Sequence, residues 1–442
     1  MPSRFSHKRE LRVASAPSAG SKRDDGRGPH HARGDKREAG ARRALSDIGG
    51  PVQVVGEEAT CGLLLTVLGA DFDGGDSDAS RGHVHGFHTY PGRMHPGLAR
   101  RCVELFCPRR GRVLDPFCGS GTVLVESLLG GRAATGVDIN PLSVMLARLK
   151  TTRCSKSLLQ DIAAASKRVC CHAQDRRKQR VGASRRYGSQ DVRMFAPHVL
   201  LELDGLRDGI DQLRDGFVRD AMLLVLSSIL IKVSDRVSDT VDGYIPKRLA
   251  AGFATRIFEQ RVQELVERLA MFARALPSGP VVCDVRLGDA RRLRFDDADG
   301  FDLVLTSPPY AGTYDYVAHH EARMRWLGLS SARMLRGELG SRRQLQGRDF
   351  EAAVEEFRGD MHRVLRGLAR ALVRDGRVVV VVGDSVVSQR ALRADEVIAD
   401  AAHNSGLRWL ATASQPRVHF HRASRGAYGP QGRYEHVVVF AR

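Results

Sequence analysis

From Gly111 onward the chain alternates short apolar runs with helical ones, and this alternation restricts the fold more than any other feature. "GRVLDPF" reads as a buried strand, "GTVLVESLLGG" as a helix with a glycine stop, and "AATGVDI" as a second strand. "NPLSVMLARLK" then starts a helix, with Asn140 placed to cap it and Pro141 in its first turn. After a long interruption the alternation resumes with "VVCDVRL", "FDLVLT", a helix over about 351–374 and "RVVVVVGD". A helix near 394–405 and the strands "LRWLATA" and "EHVVVFAR" close the chain. Strands that are apolar throughout and separated by helices demand a mostly parallel sheet covered on both faces. The last two strands have no helix between them, so one should run antiparallel.

The interruption, residues 151–275, carries no strand pattern and should be helical. The run "AMLLVLSSILIKV" within it is too short to span a bilayer and reads as a buried helix. Residues 1–45 hold almost no large apolar side chains and are expected to remain disordered. Residues 46–80 add a short apolar patch, "CGLLLTVLGA", and an acidic linker, so ordered structure is expected to begin near Gly82. The organisation read here is a basic tail and linker over 1–81, a first sheet segment over 82–150, a helical insertion over 151–275 and a second sheet segment over 276–442.

The net charge of +18 attracts polyanions, which points to nucleic acid or an anionic membrane. Most of the 69 basic residues are arginine, however, and a GC-rich genome explains that equally well. Eight cysteines without a CxxC pair do not form a disulfide framework, and Cys170-Cys171-His172 lacks a second half for a metal site. No metal is expected. The N-terminus lacks the apolar core of a signal peptide, so the expectation is a cytoplasmic protein with no membrane association.

Three segments carry chemistry. In "VLDPFCGSGTVLVES" a strand ends at Asp115 and a turn with Gly119 and Gly121 leads into a helix whose first N–H groups are free. This is not the dinucleotide fingerprint, and Asp115 would oppose a pyrophosphate but suit an ammonium group. Asp138 ends the next strand, where a carboxylate holds ribose hydroxyls, although it could simply cap the following helix. Asp289, in "RLGDARRL", ends another strand and could accept from an adenine amino group, although turn chemistry also places Asp after Gly. The third segment is "FDLVLTSPPYAGTYDY", in which two prolines stop a buried strand in a stiff corner.

"DPFCGSGT" together with "TSPPY" resembles the S-adenosylmethionine-dependent DNA amino-methyltransferases, and "FHTYPGRMHPGLAR" resembles the segment that encloses the methionine end of their cofactor. The resemblance covers about 82–150 and 276–442. It implies a Rossmann-like class I methyltransferase fold, α/β, with a mostly parallel seven-stranded sheet containing one antiparallel strand. It implies S-adenosyl-L-methionine as cofactor, held by Tyr90, Asp115, Phe117, Gly119, Gly121, Thr122, Asp138, Asn140 and Asp289. It assigns catalysis to Ser307, Pro308, Pro309 and Tyr310. There Ser307 and the Pro308 carbonyl accept the N–H protons of an exocyclic amine, while Tyr310 stacks on a base flipped out of DNA.

Ser in the first motif position favours N4 of cytosine over N6 of adenine. No Pro-Cys pair is present to serve cytosine C5 chemistry, which leaves Cys118 a packing role. Tyr314, Tyr316, His319 and His320 could line the base pocket or simply pack. The family further implies DNA as partner and allows a cognate restriction endonuclease. The helical insertion is either a plain cap or the expected site of target-sequence recognition. An RNA guanine-N2 enzyme and a catalytically dead DNA-binding protein are the other readings.

Overall fold

A computed structural model describes residues 12–13, 51–69, 82–238, 243–295, 300–417 and 422–442. The strands are β1 (Gln53–Gly56), β2 (Arg112–Asp115), β3 (Ala133–Asp138), β4 (Cys283–Leu287), β5 (Phe301–Thr306) and β6 (Leu372–Gly383). A small hairpin of β7 (Ser385–Val387) and β8 (Arg390–Leu392) follows, then β9 (Arg408–Arg417) and β10 (Arg433–Ala441). The main sheet has the order β1-β9-β10-β6-β5-β2-β3-β4, with Arg12–Val13 paired on the outer edge of β1. From β4 to β6 every pairing is parallel, and β10 runs antiparallel between β6 and β9. The seven strands from β4 to β9 are therefore the expected sheet with its one antiparallel member.

Two-residue periodicity explains why the central strands read as unbroken apolar runs. In β6, Val378, Val380 and Val382 join one buried cluster, together with Val364, Leu365 and Leu368 of the helix preceding the strand. Val379 and Val381 join the cluster on the other face, with Leu98, Cys102 and Val103. Both faces are dry, so neither set of positions can be polar.

The helices that matter for the site are α1 (Glu58–Gly69), α2 (Pro96–Phe106), α3 (Thr122–Leu129) and α4 (Pro141–Thr151). In the insertion come α5 (Lys156–Lys178), α6 (Ser189–Met194), α7 (Pro197–Asp211), α8 (Gly216–Val233) and α9 (Phe253–Ala275). Beyond it lie α10 (Tyr316–Leu327), α11 (Ala332–Gly337), α12 (Arg342–Leu345), α13 (Phe350–Ala371) and α14 (Ala394–Ala402). Asn140 caps α4 as expected, its Oδ1 accepting from Leu142 N at 3.0 Å. Helix α8 is buried along its length, and no helix among the described residues is long and apolar enough to cross a membrane.

One boundary is corrected. Ordered structure was expected from Gly82, yet β1 pairs antiparallel with β9, and α1 buries Leu64, Val67 and Leu68 in the cluster that also holds α2 residues Leu98 and Cys102. A four-residue edge strand is too short for periodicity to reveal it, and its order comes from a partner more than 350 residues away in sequence. The expected disorder of residues 1–45 falls outside the described residues except at 12–13, and the acidic linker lies outside them entirely.

The insertion is helical and continuous with the rest. Its helices share one buried cluster with Leu124 of α3, Leu142 of α4 and Trp326 of α10. Asp191 fixes that junction, accepting from Trp326 Nε1 at 3.0 Å and from Arg325 Nη2 at 2.9 Å.

Candidate active site

The carboxyl ends of β2, β3, β4 and β5 meet at one cavity, and the glycine turn after β2 forms its floor. Cys118 N donates to Val137 O at 3.0 Å, which latches the turn to β3. Cys118 itself is buried. Gly121 stands at φ +85°, and a Cβ there would lie 3.1 Å from Cα and Cβ of Ala147 in α4. Only glycine satisfies both conditions.

Of the expected cofactor residues, Tyr90, Asp115, Phe117, Gly119, Thr122, Asp138, Asn140 and Asp289 all line the cavity. Gly121 lies behind it, shaping the turn. The Tyr90 hydroxyl is 2.7 Å from Ser143 Oγ, and the ring stacks on His320 with centroids 5.0 Å apart.

The carboxylates are spent unequally. Asp115 Oδ1 accepts from Thr306 Oγ1 at 2.7 Å and from Phe117 N at 3.1 Å. Asp138 Oδ2 accepts from Gly119 N, and its Oδ1 from Asn140 N, each at 2.8 Å. Asp138 therefore builds the turn and starts α4 at the same time as it faces the cavity. Asp289 has both oxygens bridged by the Arg291 guanidinium, with Arg291 Nη2 at 2.8 Å from Oδ2. Its carboxyl is held below the usual range by that arginine although burial opposes the shift. An adenine amino group would have to share it.

Burial pushes the Asp115 carboxyl up to about 7, against the pull of Thr306 and the Phe117 N–H, and pushes Asp138 up to about 6. An acid that keeps its proton longer folded than unfolded contributes stability below about pH 4 that is lost as pH rises through about 7. Asp115→Asn should therefore stabilise the ligand-free protein by about 1–3 kcal/mol at pH 8 and flatten its stability profile between about pH 4 and 7. Urea denaturation at pH 5 and pH 8 checks this, and equal midpoint shifts at both pH values would contradict it. A carboxylate kept at such a cost suits a cationic ligand group.

The corner after β5 divides. Ser307 and Pro309 line the cavity, whereas Pro308 and Tyr310 do not. Tyr310 turns toward the ends of β6 and β10, where its hydroxyl donates to Glu435 Oε1 at 2.6 Å. Glu435 is paired with Arg417 at 3.0 Å. Of the four aromatic candidates downstream, Tyr316 lines the cavity and His320 stacks behind Tyr90. Tyr314 and His319 pack edge-to-face on each other and are not part of the lining.

Sequence reasoning missed Ser120, Thr306, Met334 and Glu338. Ser120 sits inside a quoted turn, and Thr306 directly precedes the corner, so adjacency could have flagged both. Nothing in the sequence marks Met334 or Glu338.

The residues fit S-adenosylmethionine. Ser120 Oγ, Thr122 Oγ1 and Asn140 Nδ2 are buried and hydrogen-bond to nothing among the described residues, yet all three residues line the cavity. Several unspent polar atoms around one cavity call for a ligand that satisfies them. Carboxylates suit its ammonium and ribose groups, and Phe117, Ile139, Met334 and Leu339 offer apolar walls.

Among the described residues, two three-residue groups elsewhere have metal-ligand geometry, His83/His85/Glu126 and Asp384/Asp395/His436. Glu126 is already held by His85 at 2.7 Å and Arg100 at 3.1 Å. Asp384 accepts from Arg393 at 2.7 Å, Ala394 N and Tyr434 N at 3.0 Å, and His436 at 3.1 Å. Both groups read as internal ion-pair networks.

Comparison with known proteins agrees with this geometry. Residues 75–148 match a family described as DNA methylase. The chain is 46% identical over 79 residues, 17% of its length, to the type II methyltransferase M.MvaI of Kocuria varians. It is 42% identical over 72 residues, 15% of its length, to the type II methyltransferase M.MjaII of Methanocaldococcus jannaschii. It is also 50% identical over 52 residues, 12% of its length, to a tRNA (guanine(10)-N2)-dimethyltransferase of Methanothermobacter thermautotrophicus. The matches span 17%, 13% and 16% of those three relatives' own lengths.

Proposed function

We propose, from a chain whose residues 75–148 belong to the DNA methylase family, that the protein transfers a methyl group from S-adenosylmethionine to the exocyclic N4 amine of cytosine in DNA. The observation that carries this reading is the Ser307-Pro308-Pro309-Tyr310 corner, with Ser307 and Pro309 on the wall of the cavity that Asp115 and Asp138 also line. S-adenosylmethionine, when bound, supplies a methyl group on a positively charged sulfur.

The amine of a base is a poor nucleophile because its lone pair is delocalised into the ring. Ser307 Oγ and the Pro308 carbonyl act by accepting hydrogen bonds from its two N–H groups, which draws the nitrogen toward a tetrahedral shape and frees the lone pair. The two prolines hold those acceptors rigid, so little reorganisation is left for the reaction itself. Tyr310, its hydroxyl fixed on Glu435, offers a ring on which an extruded base can stack. Asp115 carries negative charge toward the ammonium end of the cofactor. The net charge of +18 favours a polyanionic substrate.

The small hydroxyl at Ser307 favours cytosine N4, as the family resemblance implies; N6 of adenine is the second reading, because the same two acceptors fit its amine. Incubating the full chain with S-adenosylmethionine and genomic DNA, then analysing the nucleosides by mass spectrometry, separates them. N4-methylcytosine is the expected product, and sequencing of the modified DNA then gives the target. N6-methyladenine alone would change the base and keep the mechanism. 5-Methylcytosine, or a methyl group found only on RNA, would overturn the proposal.

A further inference from the structure

Among the carboxylates around the cavity, Glu338 has a buried oxygen that makes no hydrogen bond among the described residues. Each oxygen of Asp138 holds a backbone N–H, and both oxygens of Asp289 lie on Arg291. Glu338 Oε1 accepts from Tyr316 N at 2.7 Å, the first residue of α10. Its Oε2 is buried and hydrogen-bonds to nothing among the described residues. That oxygen is ion-paired with Arg343 Nη2 at 3.6 Å, on an exposed side chain, a pairing that a ligand hydroxyl could supplement with a hydrogen bond. Glu338 is 4% exposed and lines the cavity. Such burial pushes its carboxyl up to about 7. A buried carboxylate oxygen left without a donor is costly unless a ligand supplies one.

Its position along the cavity says which donor. Gly337 packs against Ile139 and Asp289, at the end where the flat base of the cofactor is expected. Two residues beyond Glu338, the Gly340 carbonyl accepts from Gly312 N, just past the catalytic corner. Glu338 therefore lies between the base end and the reacting end, where the cofactor carries its ribose. Asp138 lines the same cavity from β3, with Tyr316 also on its wall.

We propose that Glu338 is a second ribose-binding carboxylate, accepting a cofactor hydroxyl from the segment that follows the Ser-Pro-Pro-Tyr corner. This rests on reading the cavity as the S-adenosylmethionine site. It also makes cofactor binding contribute to fixing α10, because the same side chain holds the Tyr316 N–H.

Calorimetry with S-adenosylhomocysteine and its 2′,3′-dideoxy analogue tests the assignment without requiring turnover. Glu338→Gln keeps an acceptor for Tyr316 N and removes the charge. It should weaken S-adenosylhomocysteine about tenfold, as expected for a lost hydrogen bond to a charged group. The dideoxy analogue, which lacks the hydroxyls, should bind the variant and the wild type alike. An equal penalty on both ligands, or none on either, overturns the assignment while leaving the cofactor site standing. A wild-type chain that binds neither ligand overturns the cofactor site and this inference together.

Discussion

Ser307→Ala lowers turnover by about 10²–10³ and leaves cofactor affinity unchanged, the loss expected when one preorganised polar contact to the reacting group is removed. The separation of the two effects follows from the structure. Ser307 shares the cavity wall, but the neighbouring bond from Thr306 Oγ1 to Asp115 Oδ1 is what ties the end of β5 to the cofactor turn. That bond survives the substitution, and the prolines keep the backbone in place. Single-turnover rates with saturating cofactor, set beside calorimetry, check both halves. If affinity falls as much as the rate, Ser307 is a cofactor residue and its catalytic assignment is lost.

Asp138→Ala costs more than a ribose contact. The side chain holds Gly119 N and Asn140 N, one on the glycine turn and one at the start of α4. Leaving each donor unpaired costs about 1–3 kcal/mol, and relief of the buried carboxyl, which burial pushes up to about 6, returns part of the sum, so the variant should lose about 2–4 kcal/mol of folding stability and bind cofactor at least tenfold more weakly. Asp138→Asn should recover about half of that stability loss, because its carbonyl can serve one N–H while its amide group faces the other. Thermal denaturation without ligand and calorimetry with S-adenosylhomocysteine report the two effects separately. A folded alanine variant with wild-type affinity and melting temperature would remove Asp138 from both roles.

The features legible in the chain were those encoded over a few neighbouring residues. Alternation of apolar runs and helices revealed the parallel sheet, because strands buried on both faces must be apolar at every position. Gly119, Gly121 and Asn140 were legible because turn geometry and capping depend on the residue itself and its nearest backbone. Asp115 and Asp138 followed from their places at strand ends. The strand at 53–56 escaped notice because its four residues carry too little pattern, and because what orders them is β9.

The corner shows the boundary within a single motif. Its stiffness could be read from two prolines, and an extended backbone turns successive side chains to opposite sides. Ser307 and Pro309 line the cavity while Tyr310, whose hydroxyl also meets the Ser307 side chain, turns to Glu435, 125 residues further along the chain. No local rule supplies that glutamate.

Residue types and local backbone preference thus established the sheet, the glycine turn and the stiff corner, since these depend on interactions among near neighbours in the chain. Only the tertiary structure decided which carboxylate oxygens are used and which remain open. Asp115 Oδ1 accepts from Thr306, 191 residues away, and Glu338 Oε1 accepts from the first residue of α10. Hydrogen bonds act over about 3 Å of space, so their allocation is set by which distant segments the folded sheet brings into contact.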